Sequence, residues 1–146
     1  MKFLSALLCS AILAACSGGG GLAPGLTERM DQPGANLDRA VALNMVNQFR
    51  ASEATAPLAA DSSLDSEAQR LAAEYAASGT VPARPDSIAS MRVSAGYSSF
   101  AETFSGWRNS AADAEALLAE GHSAAGLGVA YSANSAYGVH WVMLFR

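Results

Sequence analysis

The sequence predicts an α/β (α+β) domain in which about four helices cover a small, mainly antiparallel sheet. Apolar residues recur at spacings of three and four through the middle of the chain, which is typical of amphipathic helices. Residues 137–145 instead alternate, and both alternating sets are apolar. A strand with two apolar faces is central and is covered by helices on each side. This strand can pair with residues 127–131 across the short turn between them.

The first predicted helix begins near Asn36, a residue type that caps helix N-termini. Leu37, Val41, Met45 and Phe49 follow at intervals of four, so they would share one helical face. Pro57 ends the pattern. These residues predict a helix that packs one side on the core.

The second predicted helix begins at Asp61 and ends at Gly79, a residue type common just past helix C-termini. Its apolar stripe consists of Leu64, Ala68, Leu71, Ala72 and Tyr75. The spacing of this stripe predicts burial of one face against the sheet.

The third predicted helix is marked by Ser99 and Glu102, which have the spacing of a capping box. Phe100, Phe104 and Trp107 follow on one helical face and predict core packing. A short fourth helix is predicted for residues 111–119, followed by the strand at residues 127–131.

This order of elements resembles the CAP superfamily of cysteine-rich secretory, antigen 5 and pathogenesis-related proteins, in its short bacterial form. The matching positions are Trp107, Ser110, Leu117, Gly126, Gly128, Trp141 and Phe145. The resemblance implies the three-layer αβα sandwich of that superfamily, here over residues 36–146.

The positions at which such proteins carry metal-binding and catalytic residues depart from the family pattern. Asp113 stands where the resemblance implies a histidine, and Met91 stands where it implies a glutamate. Ala83 takes the place of a further histidine, and Glu102 is the nearest counterpart of the second acidic residue. Because Zn²⁺ takes about four N, O or S donors, this set predicts no metal site and no cofactor.

The two histidines are alternatives for a rebuilt site. His122 follows Gly121 in a turn, where a solvated side chain is expected. His140 lies in the apolar strand, where a hydrogen-bonded histidine is expected. Neither histidine has a partner at a spacing that predicts a shared site, so the question of a rebuilt site stays open here.

The N-terminus predicts export and lipid anchoring. Lys2 precedes an apolar run too short to span a bilayer, which takes ~20 apolar residues, so residues 1–15 are predicted to be a signal peptide. The following Cys16 ends a Leu-Ala-Ala-Cys pattern that resembles the bacterial lipobox, which implies lipid attachment at its thiol. Ser17 after it favours the outer membrane. Residues 16–35, rich in glycine and proline, predict a flexible tether.

The composition of the mature chain argues against several classes of function. Cys9 leaves with the signal peptide and Cys16 carries lipid, so the folded part has no thiol for disulfides, catalysis or metal binding. The same cleavage removes Lys2, the single lysine, and leaves more acidic residues than arginines. An acidic chain without lysine is a poor nucleic-acid binder.

Two functions stay open. The first is a non-catalytic, outer-membrane lipoprotein, on the periplasmic or the surface face, whose CAP-like domain binds an envelope protein, a glycan or a small apolar ligand. The second is a hydrolase or metal-assisted protease that uses Asp113, Glu102 and a displaced histidine. The missing histidine and glutamate favour the first, because acid–base catalysis needs a group of tuned pKa within hydrogen-bond reach.

Overall fold

The computed structural model describes residues 21–146, so the predicted signal peptide and Cys16 lie outside the described residues. The elements, in chain order, are α1 (Pro24–Thr27), α2 (Arg39–Ser52), β1 (Ala59–Ala60), α3 (Ser62–Ser78), β2 (Ser90–Ala95), α4 (Phe100–Asn109), α5 (Ala111–Leu118), β3 (Ala124–Tyr131) and β4 (Val139–Phe145). In this part of the chain, no helix is both long enough and apolar enough to cross a bilayer.

The four strands form one mixed sheet in the order β1-β3-β4-β2. The central strand β4 pairs antiparallel with both β3 and β2, and β1 runs parallel to β3. Every residue of β4 is buried, as the apolar character of both its faces predicts. The mainly antiparallel sheet is therefore confirmed, whereas β1 and β2 were not predicted.

Helices cover the sheet on both faces. On one face, α3 packs over Val142 and Leu144 of β4. On the other, α4 and α5 bury Phe100, Trp107 and Leu117 against Trp141 of the same strand. This arrangement is the predicted α+β sandwich, and the short α1 brings the helices to five over residues 21–146.

The helix boundaries follow from capping groups that the sequence signalled. Asp61 accepts hydrogen bonds from backbone N–H groups at the start of α3, and Gly79 ends the helix with a φ of 69°. Ser99 and Glu102 form both hydrogen bonds of a capping box at the start of α4. These three predictions are confirmed.

The first long helix begins later than predicted. Asp38, rather than Asn36, caps α2 by accepting a hydrogen bond from the backbone N–H of Val41. The predicted stripe lies at the edge of the buried face of α2, not at its centre. Val41 is only half-buried, whereas Ala42 and Val46 are fully buried. The stripe was chosen by its strict spacing of four residues, which left out Leu43 and Val46 on the buried face.

Arg50 also lies on the buried face of α2. Its side chain is fully buried and donates hydrogen bonds to the backbone carbonyls of Ala56, Leu117 and Ala119. A buried guanidinium needs such acceptors because an unpaired one would carry a large desolvation cost. Arg50 thereby connects α2 to the end of α5.

The described part of the predicted tether is folded onto the domain. Leu26 of α1 and Met30 are buried in the same core as α4. The backbone N–H of Met30 also donates to the carbonyl of Ser98, at 2.7 Å. Glycine and proline content predicted flexibility here, but two apolar anchors bury enough surface to hold the segment.

Candidate functional site

The residues at the family positions do not converge. Ala83 is exposed in the loop between α3 and β2. Met91 of β2 packs against the cluster under α3. Successive strand residues point to opposite faces, and the next residue, Arg92, contacts Asp113 of α5. Met91 and Asp113 therefore lie on opposite sides of the sheet.

Arg92 and Asp113 form an ion pair between β2 and α5. The Nη1 atom of Arg92 lies 3.5 Å from the Oδ1 atom of Asp113, and the two side chains are 27% and 28% exposed. Asp113 lies in the first turn of its helix, where a carboxylate is favoured by the helix dipole. The carboxylate at the implied histidine position thus already has a cationic partner.

Glu102 has a structural role. Its Oε2 atom accepts hydrogen bonds from the hydroxyl of Ser98 at 2.8 Å and from the backbone N–H groups of Ser98 and Ser99 at 2.9 and 3.0 Å. The Ser98 hydroxyl, more than the backbone donors, holds the pKa of Glu102 below its usual value, although burial opposes this. The carboxylate is therefore kept ionised as part of a helix cap.

These residues do not fit a metal ion. Over residues 21–146, no three side chains among histidine, cysteine, aspartate and glutamate come close enough to hold one. The charge of Arg92 would also repel a cation at Asp113. No step of catalysis by a metal can be built on this set.

His122 is not the solvated side chain that its position in a turn predicts. Its ring stacks on Phe145, with the ring centroids 4.8 Å apart and the planes inclined by 20°. Burial is the main cause that lowers the pKa of His122; the charges of Arg50 and Arg92 add to it and the Ala116 carbonyl opposes it. The turn after α5 lies over the end of β4, which brings the ring onto the core.

His140 is the hydrogen-bonded strand histidine that the sequence predicts. It is fully buried, and its Nε2 atom lies 3.1 Å from the hydroxyl oxygen of Ser135 in the turn between β3 and β4. Its ring packs edge-on against Tyr75 of α3, with the centroids 4.5 Å apart. Burial lowers the pKa of His140, and the Gly138 backbone partly offsets this.

Neither histidine is brought to an acid. Among the described residues, no ion pair joins His122 or His140 to Asp113 or to any other carboxylate. The structure thus does not assemble the constellation of Asp113, Glu102 and a displaced histidine.

A cavity of about 580 Å³ opens along the exposed side of α4, and Glu102 is the one family position that lines it. It is lined by Tyr97 and Glu102 at one end and by Asn109 and Ser110 at the other. Ser110 occupies the N-cap position of α5, three residues before Asp113. Sequence reasoning missed this cavity, although the Gly96-Tyr97 pair stood within the segment that matched the family pattern.

Comparison with known proteins decides the family. The family model described as CAP, the cysteine-rich secretory protein family, matches residues 43–145. The chain belongs to the CAP family. No curated protein matches this CAP chain.

Solved structures share the CAP fold at low identity. An outer surface protein from Borrelia burgdorferi superposes with a TM-score of 0.61 at 16% identity, over 73% of this chain and 89% of that one. An extracellular protein containing an SCP domain, from Bacillus anthracis, gives 0.60 at 14% identity, over 74% of this chain and 40% of that one. A cysteine-rich secretory protein from Staphylococcus aureus gives 0.55 at 15%, over 74% and 39%. At these identities the three structures share the CAP fold with this chain.

Proposed function

We propose that this chain is a lipid-anchored protein of the bacterial cell envelope whose CAP domain binds a ligand and does not catalyse a reaction. The observation that carries the proposal is the ion pair of Arg92 and Asp113. The guanidinium of Arg92 repels a metal cation at Asp113, and over residues 21–146 no group of three potential metal ligands comes together. Glu102 is engaged separately, as the acceptor of a helix cap.

The ligand would be an envelope protein, a glycan or a small apolar molecule. The cavity beside Tyr97 is large enough for a small ligand and combines an aromatic ring with amide and hydroxyl groups. Nucleic acid is disfavoured because the chain has a net charge of −4.

Lipid attachment at Cys16 would hold the domain at the outer membrane. The sequence Leu-Ala-Ala-Cys and the following Ser17 support this location, and more than one acyl chain gives stable anchoring. Cys16→Ser is expected to abolish incorporation of radiolabelled palmitate into the protein, with Cys9→Ser as the matched control. Palmitate incorporation into the Cys16→Ser protein would contradict the anchor.

A hydrolysis assay tests the absence of catalysis. The full chain is incubated with casein and with p-nitrophenyl esters, with and without added Zn²⁺, beside its Asp113→Ala variant. We expect no turnover above the background of a heat-denatured sample. Turnover that is lost in Asp113→Ala would contradict the proposal and favour a hydrolase.

A further inference from the structure

One end of the sheet carries three exposed tyrosines. Tyr131 is the last residue of β3, Tyr97 lies two residues after β2, and Tyr137 lies two residues before β4. Strand register places these positions together, because Ala95 is opposite His140 and Tyr131 is opposite Val139. We call this end, defined by Tyr97, Tyr131 and Tyr137, the tyrosine end.

Each of these rings is exposed yet supported by a glycine. Tyr97, Tyr131 and Tyr137 are 42%, 36% and 62% exposed. A Cβ atom added to Gly106 of α4 would lie 3.0 Å from the Tyr97 ring, and one added to Gly138 would lie 3.6 Å from the Tyr131 ring.

Tyr137 is supported in the same way, since a Cβ atom on Gly96 would lie 3.8 Å from its ring. Each ring therefore lies beside a glycine that leaves it room, and part of each ring is open to solvent. Tyrosine has only two side-chain torsions, so it loses little entropy when it binds.

Three cavities open at the tyrosine end, and each is lined by one of the tyrosines. Their volumes are about 580 Å³ beside Tyr97, 430 Å³ beside Tyr131 and 230 Å³ beside Tyr137. Amides and hydroxyls accompany the rings, notably Asn109 and Ser110 beside Tyr97, Gln32 beside Tyr131 and Asn134 beside Tyr137. Glu102 is the single charged residue that lines any of the three cavities.

The residues that line the three cavities favour some classes of ligand over others. The linings hold no arginine, lysine or histidine, so an anion would find no partner there. Amides and hydroxyls both donate and accept hydrogen bonds, so they match a ligand rich in hydroxyl groups. The open ring faces match a ligand that also has apolar C–H faces. The depressions are open and shallow, so they would receive the faces of sugar rings rather than enclose a small molecule.

We propose that the tyrosine end binds a neutral glycan strand, with successive sugar rings against Tyr97, Tyr131 and Tyr137 and their hydroxyls bonded to the neighbouring amides and hydroxyls. This assignment rests on the proposed function of a binding domain at the envelope, and it names the ligand class. The lipid anchor would hold this surface within reach of envelope polysaccharide.

Calorimetric titration of neutral hexasaccharides into the detergent-solubilised full chain tests the assignment. The probes are the β-1,4-linked N-acetylglucosamine hexamer and maltohexaose. We expect saturable binding of at least one probe, weakened roughly tenfold in each of the variants Tyr97→Ala, Tyr131→Ala and Tyr137→Ala. Gly106→Ala should weaken binding as well, because the added methyl group displaces the Tyr97 ring.

Leu22→Ala is the matched control, because Leu22 is 53% exposed and lines a different cavity beside α2. Its affinity should equal that of the unchanged chain. No binding of either hexasaccharide at millimolar concentration, or binding that survives the triple tyrosine variant, would overturn the glycan assignment. Both results would leave the proposed binding domain standing.

Mass spectrometry of the titrated hexasaccharides separates the two proposals. Intact hexasaccharide after prolonged incubation agrees with both. Appearance of shorter oligosaccharides would overturn the proposal of a non-catalytic domain while the glycan assignment survived. Photocrosslinking from position 137 to an envelope protein, unaffected by excess hexasaccharide, would instead overturn the glycan assignment.

Discussion

The guanidinium of Arg92 on β2 lies 3.5 Å from the carboxylate of Asp113 on α5, and this ion pair joins the edge strand to the short helix. In the resemblance to CAP proteins, the position of Asp113 implies a histidine. An ion pair therefore lies where the resemblance implies a group that could bind a metal or move a proton. The pair therefore connects the packing of α5 with the proposed loss of chemistry.

The Arg92–Asp113 pair should contribute modestly to stability. Because both side chains are more than a quarter exposed, a double-mutant cycle of Arg92→Ala and Asp113→Ala should give a coupling of roughly 0.5–1 kcal/mol. Urea denaturation measures the four free energies of unfolding. A cycle on the exposed pair of Arg70 and Glu74 is the control and should give less. Equal coupling in the two cycles would contradict the account.

Arg50 should contribute far more to the free energy of unfolding than an exposed arginine does. Arg50→Met removes the donors to three backbone carbonyls and should lower the free energy of unfolding by about 3 kcal/mol. Arg70→Met is the control, because Arg70 is exposed, and it should leave the free energy of unfolding nearly unchanged. Urea denaturation of the two variants would refute this expectation if their losses were the same.

Replacing Gly126 or Gly128 of β3 by a residue with a side chain should destabilise the domain. A Cβ atom on Gly126 or Gly128 would overlap the backbone of α3 at Leu64 or Ala68. Gly126→Ala and Gly128→Ala should each cost more than about 2 kcal/mol, because helix and sheet must move apart.

Gly121 provides the control for these substitutions. A Cβ atom there would have no other atom within 4 Å, so Gly121→Ala should leave the thermal midpoint nearly unchanged. Wild-type stability of Gly126→Ala or Gly128→Ala would mean that α3 and β3 are not packed this closely.

Acid should destabilise the domain through its histidines. Burial lowers the pKa of His140 in the folded chain below the ordinary value near ~6.5, so the unfolded chain binds more protons as the pH falls through that value. The stability contributed by neutral His140 is therefore present above about pH 6.5 and is lost below it. His122 acts in the same direction.

Urea denaturation at about pH 7.5 and about pH 5.5 measures this loss while most carboxylates stay ionised. His140→Gln should reduce the difference between the two pH values, and His122→Gln measures the separate contribution of the other ring. An unchanged difference in both variants would contradict the assigned burial of the histidines.

Much of the fold could be predicted from local patterns. The stripe of α3, the capping box at Ser99 and the apolar faces of β4 are all encoded by neighbouring residues. Strand β2 was missed because its six residues are all half-buried, and half-burial leaves no clear alternation. Burial of Leu26 and Met30 depends on contacts distant in sequence, which the glycine-rich composition hid.

The candidate site was less predictable. Asp113 and Met91 could be found by position, but the partner of Asp113 depends on the register of β2, which the sequence did not indicate. The stacking of His122 on Phe145 likewise needs the path of the turn after α5. The sequence does contain a signal for the tyrosine end, because Gly96 precedes Tyr97 and Gly138 follows Tyr137. Only the sheet register brings these pairs together.

Calorimetric titration of Zn²⁺ into the full chain, beside Asp113→Ala, tests the central claim most directly. The structure predicts no saturable binding at micromolar concentration, because Asp113 is paired with Arg92 and Glu102 is occupied in a cap. It also predicts no difference between the two proteins. Micromolar or tighter binding that disappears in Asp113→Ala would contradict the claim and establish a metal site in this CAP domain.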